Sequence, residues 1–294
     1  TNQNEIKNKI IYLKKQKIKN ICLDTEGAQI RTSLVKKSYY LKKNLFVQIS
    51  TEKKISNKNN IYLYPKFNIL SIPLRTRIFI GFENLTLEVT KKNIKKNKII
   101  CKVINSGYLD SKKGVHLNHP IKLNALTEKD IYALKLGKEL GINYFAISFV
   151  NNHKDILDVK KIVGNKKNVI SKIETLNAID DLKNIAYISS ALLIDRGDLS
   201  RYIPIESIPL AQEKIINQAK PTKKPVYVAT NLLENMIKNS QPTRAESNDI
   251  YSSLKQGAAG LVLAAETAIG KDPVKCVAFL KKCIKIYKSI KIKS

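Results

Sequence analysis

Tryptophan is absent from the 294 residues, and methionine occurs once, at Met236. Acidic residues are scarce beside basic ones: 24 against 53, for a formal net charge of +29. Four cysteines, Cys22, Cys101, Cys276 and Cys283, are widely spaced. No two of them have the short gap of a zinc ligand pair, which argues against a structural zinc site and fits a reducing compartment. No apolar run approaches the roughly eighteen residues of a membrane-spanning helix. The opening Thr1-Asn2-Gln3-Asn4 has neither an initiating methionine nor an apolar signal core, so the sequence reads as processed, trimmed or excerpted. The lysines are scattered in pairs such as Lys53-Lys54 and Lys95-Lys96, together with abundant isoleucine and asparagine. That pattern reads as compositional drift, and no recognition module or aromatic platform for nucleic acid accompanies it.

Hydrophobic residues form 43% and charged residues 26% of the chain, the balance of a folded protein with a sizeable core. The second half alternates short apolar runs with helical periodicity. Strands are predicted at 143–149, 168–174, 190–195, 225–229 and 260–264, each apolar enough to be buried on both faces of a parallel sheet. Helices are predicted at 127–140, 208–219, 245–256 and 273–288. In the last, Val277, Leu280, Cys283, Ile284 and Tyr287 form the stripe expected to face the core. An earlier strand is predicted at 20–24. Between about residues 32 and 107 the pattern alternates with period two, as in Thr86-Leu87-Glu88-Val89-Thr90, and an all-β insertion is expected.

In parallel α/β folds reacting groups gather at the C-terminal ends of the strands. That rule selects Asp24, Thr25, Ser148, Lys172, Glu174, Asp198, Thr230, Glu266 and Thr267. Lys172 and Glu174 are two apart on one strand and share a side, with Asp198 arriving from the next strand end. Two carboxylates there suit a hard divalent cation, and Lys172 can stabilise growing negative charge. A buried salt bridge has the same spacing. Gly197 permits close backbone approach to a bound anion or is a plain turn, and Thr230 offers a hydroxyl that both donates and accepts or is simply structural.

These segments resemble a known family. Asp24-Thr25-Glu26-Gly27-Ala28-Gln29-Ile30-Arg31-Thr32 is similar to the motif ending the third barrel strand of pyruvate kinases. Ile170-Ser171-Lys172-Ile173-Glu174 resembles their lysine-glutamate signature, and Asp195-Arg196-Gly197-Asp198-Leu199 their Arg-Gly-Asp loop. Ala229 to Met236, Pro242 to Glu246 and Glu266-Thr267-Ala268 follow collinearly, and Ser111 to Val115 resembles the exit from the family's lid.

The resemblance implies an α/β fold: an incomplete (β/α)8 TIM barrel with an inserted all-β lid, barrel segments at 1–31 and 116–294 and the lid at 32–115. It implies phosphoryl transfer from phosphoenolpyruvate to ADP, giving pyruvate and ATP in glycolysis, in the cytoplasm or an organelle such as a plastid. By the same resemblance Lys172 and Thr230 are catalytic, and Glu174 and Asp198 bind Mg2+ or Mn2+. Arg196, Gly197, Asp198 and Thr230 contact substrate, and Arg31 and Lys113 face the nucleotide phosphates. Asp24 and Thr25 hold half of the family's potassium ligands.

The departures from the family pattern are specific. The family's first two barrel strands, with an Arg-Leu-Asn-Phe-Ser-His-Gly loop, have no counterpart, and the sequence begins at what matches the second helix, 5–15. Six strands do not close an eight-strand barrel, so removal of a segment, supply of it by another chain, or a rebuilt fold is expected. Glu26, Ala28 and Gln29 replace the usual lysine, proline and glutamate, which leaves potassium use open. Gly81-Phe82-Glu83 stands at the family's Asp-Asp-Gly lid turn, and with the last helix ending the given sequence, allosteric control of the family's usual kind is not expected. Two alternatives accompany the kinase reading: a non-catalytic partner subunit of a complete pyruvate kinase, and a metal-dependent pyruvate or enolate lyase on the same site; a homo-oligomer or a complementing chain is the expected partner.

Overall fold

The computed structural model describes residues 3–81, 85–119, 121 and 123–291. The chain divides into two compact units, one of residues 1–27 with 128–294 and the other of residues 28–127. The 32–115 expected for the insertion lies inside the second.

The first unit is built on a parallel sheet of six strands whose order in space is their order in the chain. They are β1 (Cys22–Asp24), β2 (Tyr144–Ile147), β3 (Asn168–Ile173), β4 (Ala191–Asp195), β5 (Val226–Ala229) and β6 (Gly260–Val262). Sequential parallel neighbours require a crossover between each pair, and helices supply them. Helix α1 (Gln3–Lys15) precedes β1, α2 (Glu128–Glu139) precedes β2 and α3 (His153–Val163) follows it. The short α4 (Leu176–Asp180) and α5 (Leu182–Ile188) lead to β4, and the single turn α6 (Arg196–Leu199) and then α7 (Ile208–Ala219) lead to β5. Helices α8 (Arg244–Gln256), α9 (Ala265–Ala268) and α10 (Pro273–Lys291) complete the unit.

Local chemistry fixes the ends of these elements. Asn152 and Asp155 form a capping box that starts α3, and Thr243 and Glu246 form another at α8. Phe145, Ile147, Val169, Ile173, Leu192, Ile194 and Val228 are buried, as expected of strands covered on both faces. Helix α10 departs from the expected stripe by one position. Cys276 and Leu280 are its buried residues, with Cys283, Ile284 and Tyr287 packed around them, whereas Val277 turns outward and is 38% exposed. Position 277 sits a turn ahead of 280, but Cys276, four before Leu280, lies closer to the centre of the buried arc.

The elements described within the second unit are strands and one short 3-10 turn, Ile69–Ser71. Seven strands form one sheet in the order 115–117, 77–80, 85–93, 98–105, 46–50, 60–64, 31–32, and Tyr39–Leu41 pairs separately with Gly107–Leu109. Alternation makes its core: Leu87 lies opposite Val103 and Val89 opposite Cys101 across an antiparallel pair, and these four are buried together with Leu85 and Ile99. Of Gly81-Phe82-Glu83, expected at a lid turn, the last two residues lie outside the described residues. All four cysteines are free. No described helix is long and apolar enough to cross a membrane.

Candidate active site

The C-terminal ends of β1 to β5 bring one lysine together with several carboxylates. Lys172 lies on β3 opposite Leu193 of β4, and Asp195 ends β4 opposite Ala229 of β5. The Lys172 side chain is 11% exposed, and its Nζ lies 3.0 Å from Glu174 Oε1, 3.5 Å from Asp195 Oδ2 and 3.5 Å from Asp24 Oδ2. It also donates to Ser148 Oγ at 3.0 Å. The Ser148 hydroxyl donates in turn to the Thr25 carbonyl at 2.8 Å, and the Ser148 amide donates to Thr25 Oγ1 at 3.0 Å. The loops after β1 and β2 are thereby tied beneath the lysine. Gly27 belongs to this tie. Its φ is +70°, and a Cβ there would lie 2.7 Å from Phe149 Cδ2 and 3.0 Å from Ser148 Cβ. The Asp130 carboxylate accepts from the amides of Glu26 and Gly27 at 2.8 and 3.2 Å.

Glu174, Asp195 and Asp198 each offer an oxygen, and these oxygens lie within 4.8 Å of one another. Glu174 is fully buried, and its Oε2 accepts from the Phe149 amide at 2.6 Å. Burial raises its pKa, Lys172 opposes the rise, and the charges of Asp195 and Asp198 add to it, leaving it at about 7. Burial pulls the Lys172 ammonium down, but Glu174, Asp24 and Asp195 outweigh that and hold it above its ordinary value. The lysine is therefore charged at neutral pH, and the acidic cluster is short of positive charge. Three hard oxygens around one point, with the loop after β4 alongside, fit a small divalent cation such as Mg2+ or Mn2+.

The sequence pattern picked out Glu174 and Asp198 and passed over Asp195. Its signal was available: Asp195 and Asp198 are three apart across a single helical turn, so both carboxylates reach one side. Glu266, selected as a strand-end residue, is instead buried and accepts from the amides of Leu233 and Ala264 at 3.1 and 2.9 Å, which makes it a brace for two loops. Arg196 directs its donors at protein groups: Nε and Nη2 to the Thr230 carbonyl at 3.2 and 2.5 Å, and Nη1 to Asp249 at 2.7 Å. Thr230 and Asn231 both have left-handed backbone, with φ of +69° and +54°. For a β-branched residue such as Thr230 that costs about 1–3 kcal/mol. The Thr230 hydroxyl accepts from the Gly197 amide at 2.9 Å and donates to the Ala229 carbonyl at 2.6 Å. Asp198 is paired with Arg201 at 3.1 Å. Arg31 and Lys113 belong to the second unit, where Arg31 bridges Gly114 and donates to the Lys112 carbonyl at 3.1 Å, so the two basic residues lie on neighbouring segments.

The sequence profile described as "Pyruvate kinase, barrel domain" matches residues 2–277. The chain belongs to the pyruvate kinase family. The pyruvate kinase of Thermotoga maritima is 34% identical over 292 residues, covering 96% of this chain and 61% of that protein. The pyruvate kinase of Dictyostelium discoideum is 33% identical over 276 residues, 90% of this chain and 54% of that protein. That of Agrobacterium vitis is 36% identical over 199 residues, 67% of this chain and 41% of that protein. The chain thus spans between two fifths and about three fifths of these pyruvate kinases.

Proposed function

We propose that this chain carries the substrate and divalent-metal part of a pyruvate kinase site and transfers a phosphoryl group between phosphoenolpyruvate and ADP. The observation that carries the reading is a buried, charged Lys172 standing over Glu174, Asp195 and Asp198. Glu174 and Asp198, with Asp195, would hold Mg2+ or Mn2+, which when bound neutralises charge on the substrate oxygens. Lys172 places a fixed positive charge beside the same point, where the phosphoryl group leaves and the enolate oxygen gains charge. The reaction moves the phosphoryl group from the enol oxygen to the terminal oxygen of ADP, and the enolate carbon then takes a proton from water. Thr230, whose hydroxyl donates to the Ala229 carbonyl and accepts from the Gly197 amide and so keeps one lone pair, would orient that water. The Gly197–Asp198 segment would lie beside the substrate carboxylate, with Arg196 fixing it against the Thr230 turn. Arg31 and Lys113, on neighbouring segments of the second unit, are the residues we propose for the nucleotide phosphates. Asp24 and Thr25 supply too few oxygens for a potassium shell, and Asp24 is paired to Lys172, so no step is assigned to potassium.

The purified chain supplied with Mg2+, ADP and phosphoenolpyruvate should form pyruvate, and the Lys172→Met variant should form it about a hundredfold to a thousandfold more slowly. Intact metal binding without turnover by the wild-type chain refutes the kinase reading.

A second reading, a subunit that works with another copy or a complementing chain, is favoured by the apolar surface beside β6. There Ile269 and Val274 are 77% and 76% exposed, and Val274 and Val277 line a groove with Pro273 and Ala278. Sedimentation of the chain as a monomer across the micromolar range argues against this reading.

A further inference from the structure

We infer that Asp249, on α8 and remote from the acidic cluster in sequence, is a positioning residue that sets Thr230 by way of Arg196. This rests on the functional reading above only in giving Thr230 a place beside the substrate.

Three observations converge. The strand-end peptide at Thr230 is in a conformation that a β-branched side chain rarely adopts, and Asn231 continues it, so the local sequence does not hold the turn by itself. What holds it is external: two donors of the Arg196 guanidinium converge on the Thr230 carbonyl, at 3.2 and 2.5 Å. The guanidinium is itself fixed. Its side chain is 10% exposed, and its remaining terminal nitrogen meets Asp249 Oδ1 at 2.7 Å. A planar cation with donors on both edges can lock a carbonyl on one side only while a carboxylate anchors the other. Asp249 is that carboxylate, and it is the acidic partner given to Arg196 among the described ion pairs.

The consequence reaches the reacting end of the site because Arg196 immediately precedes Gly197. The Gly197 amide donates to the Thr230 hydroxyl at 2.9 Å, so one clamp sets two things: the direction of that hydroxyl and the spacing between the turn after β5 and the loop after β4. Asp249 touches neither substrate nor metal ligand. Its removal leaves a nearly buried guanidinium without its counter-charge, free to swing from the carbonyl, and the Thr230 turn relaxes to ordinary backbone. The start of α8 is defined separately by the Thr243 and Glu246 capping box, so the helix that presents Asp249 does not depend on this carboxylate.

The test uses Asp249→Asn, Asp249→Glu, Arg196→Ala and the double variant Arg196→Ala with Asp249→Asn, each in the full chain. With Mg2+, ADP and phosphoenolpyruvate, kcat should fall about tenfold to a hundredfold in Asp249→Asn. Mn2+ affinity should stay within about twofold, because the acidic cluster is untouched. Asp249→Glu should recover part of the loss. The double variant should lose no more than Arg196→Ala alone, since Asp249 acts only through that guanidinium. Additive losses, or a fall in Mn2+ affinity equal to the fall in kcat, overturn the inference. A readout independent of turnover is amide exchange, which should accelerate over residues 229–233 in Asp249→Asn and stay unchanged over β3. An unchanged rate at 229–233 overturns the inference whatever the activity. A wild-type chain that turns over no phosphoenolpyruvate, but whose 229–233 segment loosens in the variant, removes the kinase reading and leaves the clamp standing.

Discussion

Replacing Lys172 by methionine isolates the charge at the centre of the site while keeping the unbranched stem. The wild-type balance is set by one cation against Glu174, Asp195 and Asp24 at 3.0 to 3.5 Å. Removing one partner of a buried ion pair typically costs about 3–5 kcal/mol, because the other charge is left without compensation. Here Glu174 has an escape, since its folded pKa of about 7 is raised above the ordinary 4.5. A carboxyl raised in the folded state binds its proton more tightly there than in the unfolded chain. In the metal-free protein the stability it contributes is therefore greatest in acid. That contribution falls as pH rises from the ordinary value to about 7, then stays level. Lys172 opposes the rise, so its loss moves the folded pKa higher, and the variant goes on losing about 1.4 kcal/mol per pH unit above neutrality while the wild type does not. We expect destabilisation of about 1–2 kcal/mol near pH 6, from lost hydrogen bonds and packing, and roughly 1 kcal/mol more near pH 8. Urea unfolding in the presence of a chelator, followed by helical circular dichroism, reads the right unit, since all described α-helices lie outside residues 28–127. Turnover should fall by about a hundredfold to a thousandfold. An equal destabilisation at both pH values would falsify the coupling of Lys172 to Glu174.

Two other outcomes follow from the same geometry. Gly27→Ala forces a Cβ into Phe149 at 2.7 Å on a backbone with φ +70°, so thermal or urea unfolding should show a loss of roughly 2–5 kcal/mol, and an unchanged midpoint refutes the described tie between the loops. Mn2+ must displace the proton that Glu174 holds below about pH 7, so its affinity, read by calorimetry, should be about tenfold weaker near pH 6 than near pH 8. A pH-independent affinity shows that Glu174 is not a ligand.

Much of the parallel sheet could be read directly, because strands buried on both faces appear as short unbroken apolar runs; β3 was expected at 168–174 and runs from Asn168 to Ile173. Helix α3 was not anticipated, although Asn152 and Asp155 spell a capping box and Ile156, Val159 and Val163 are its buried face. Of its five apolar residues only these three are buried, and exposed Leu157 and half-buried Ile162 blur the edge of that face. The pairing of Lys172 with Glu174 follows from strand alternation alone, whereas its contact with Ser148 requires the register of β2 on β3, which no local pattern encodes. Asp195 was missed for the opposite reason: at the end of an apolar strand it read as a boundary, and only the turn at Arg196–Leu199 swings it alongside Asp198. The outward turn of Val277 shows how a helical stripe one position wide leaves its edges undetermined by sequence.

The place of β1 in the sheet has a kinetic consequence. Its partner, β2, begins more than a hundred residues later, beyond the whole of residues 28–127. Joining them across a floppy chain of that length would close a very large loop before any contact rewarded it. If residues 28–127 collapse first on their own core, the span left to close shrinks to the distance between two emerging ends, which Asp130 then fastens at Gly27. Assembly of the α/β unit is thereby made to wait on its guest, and a cavity cut into the Leu87 and Ile99 core should slow the docking of a strand to which neither residue belongs.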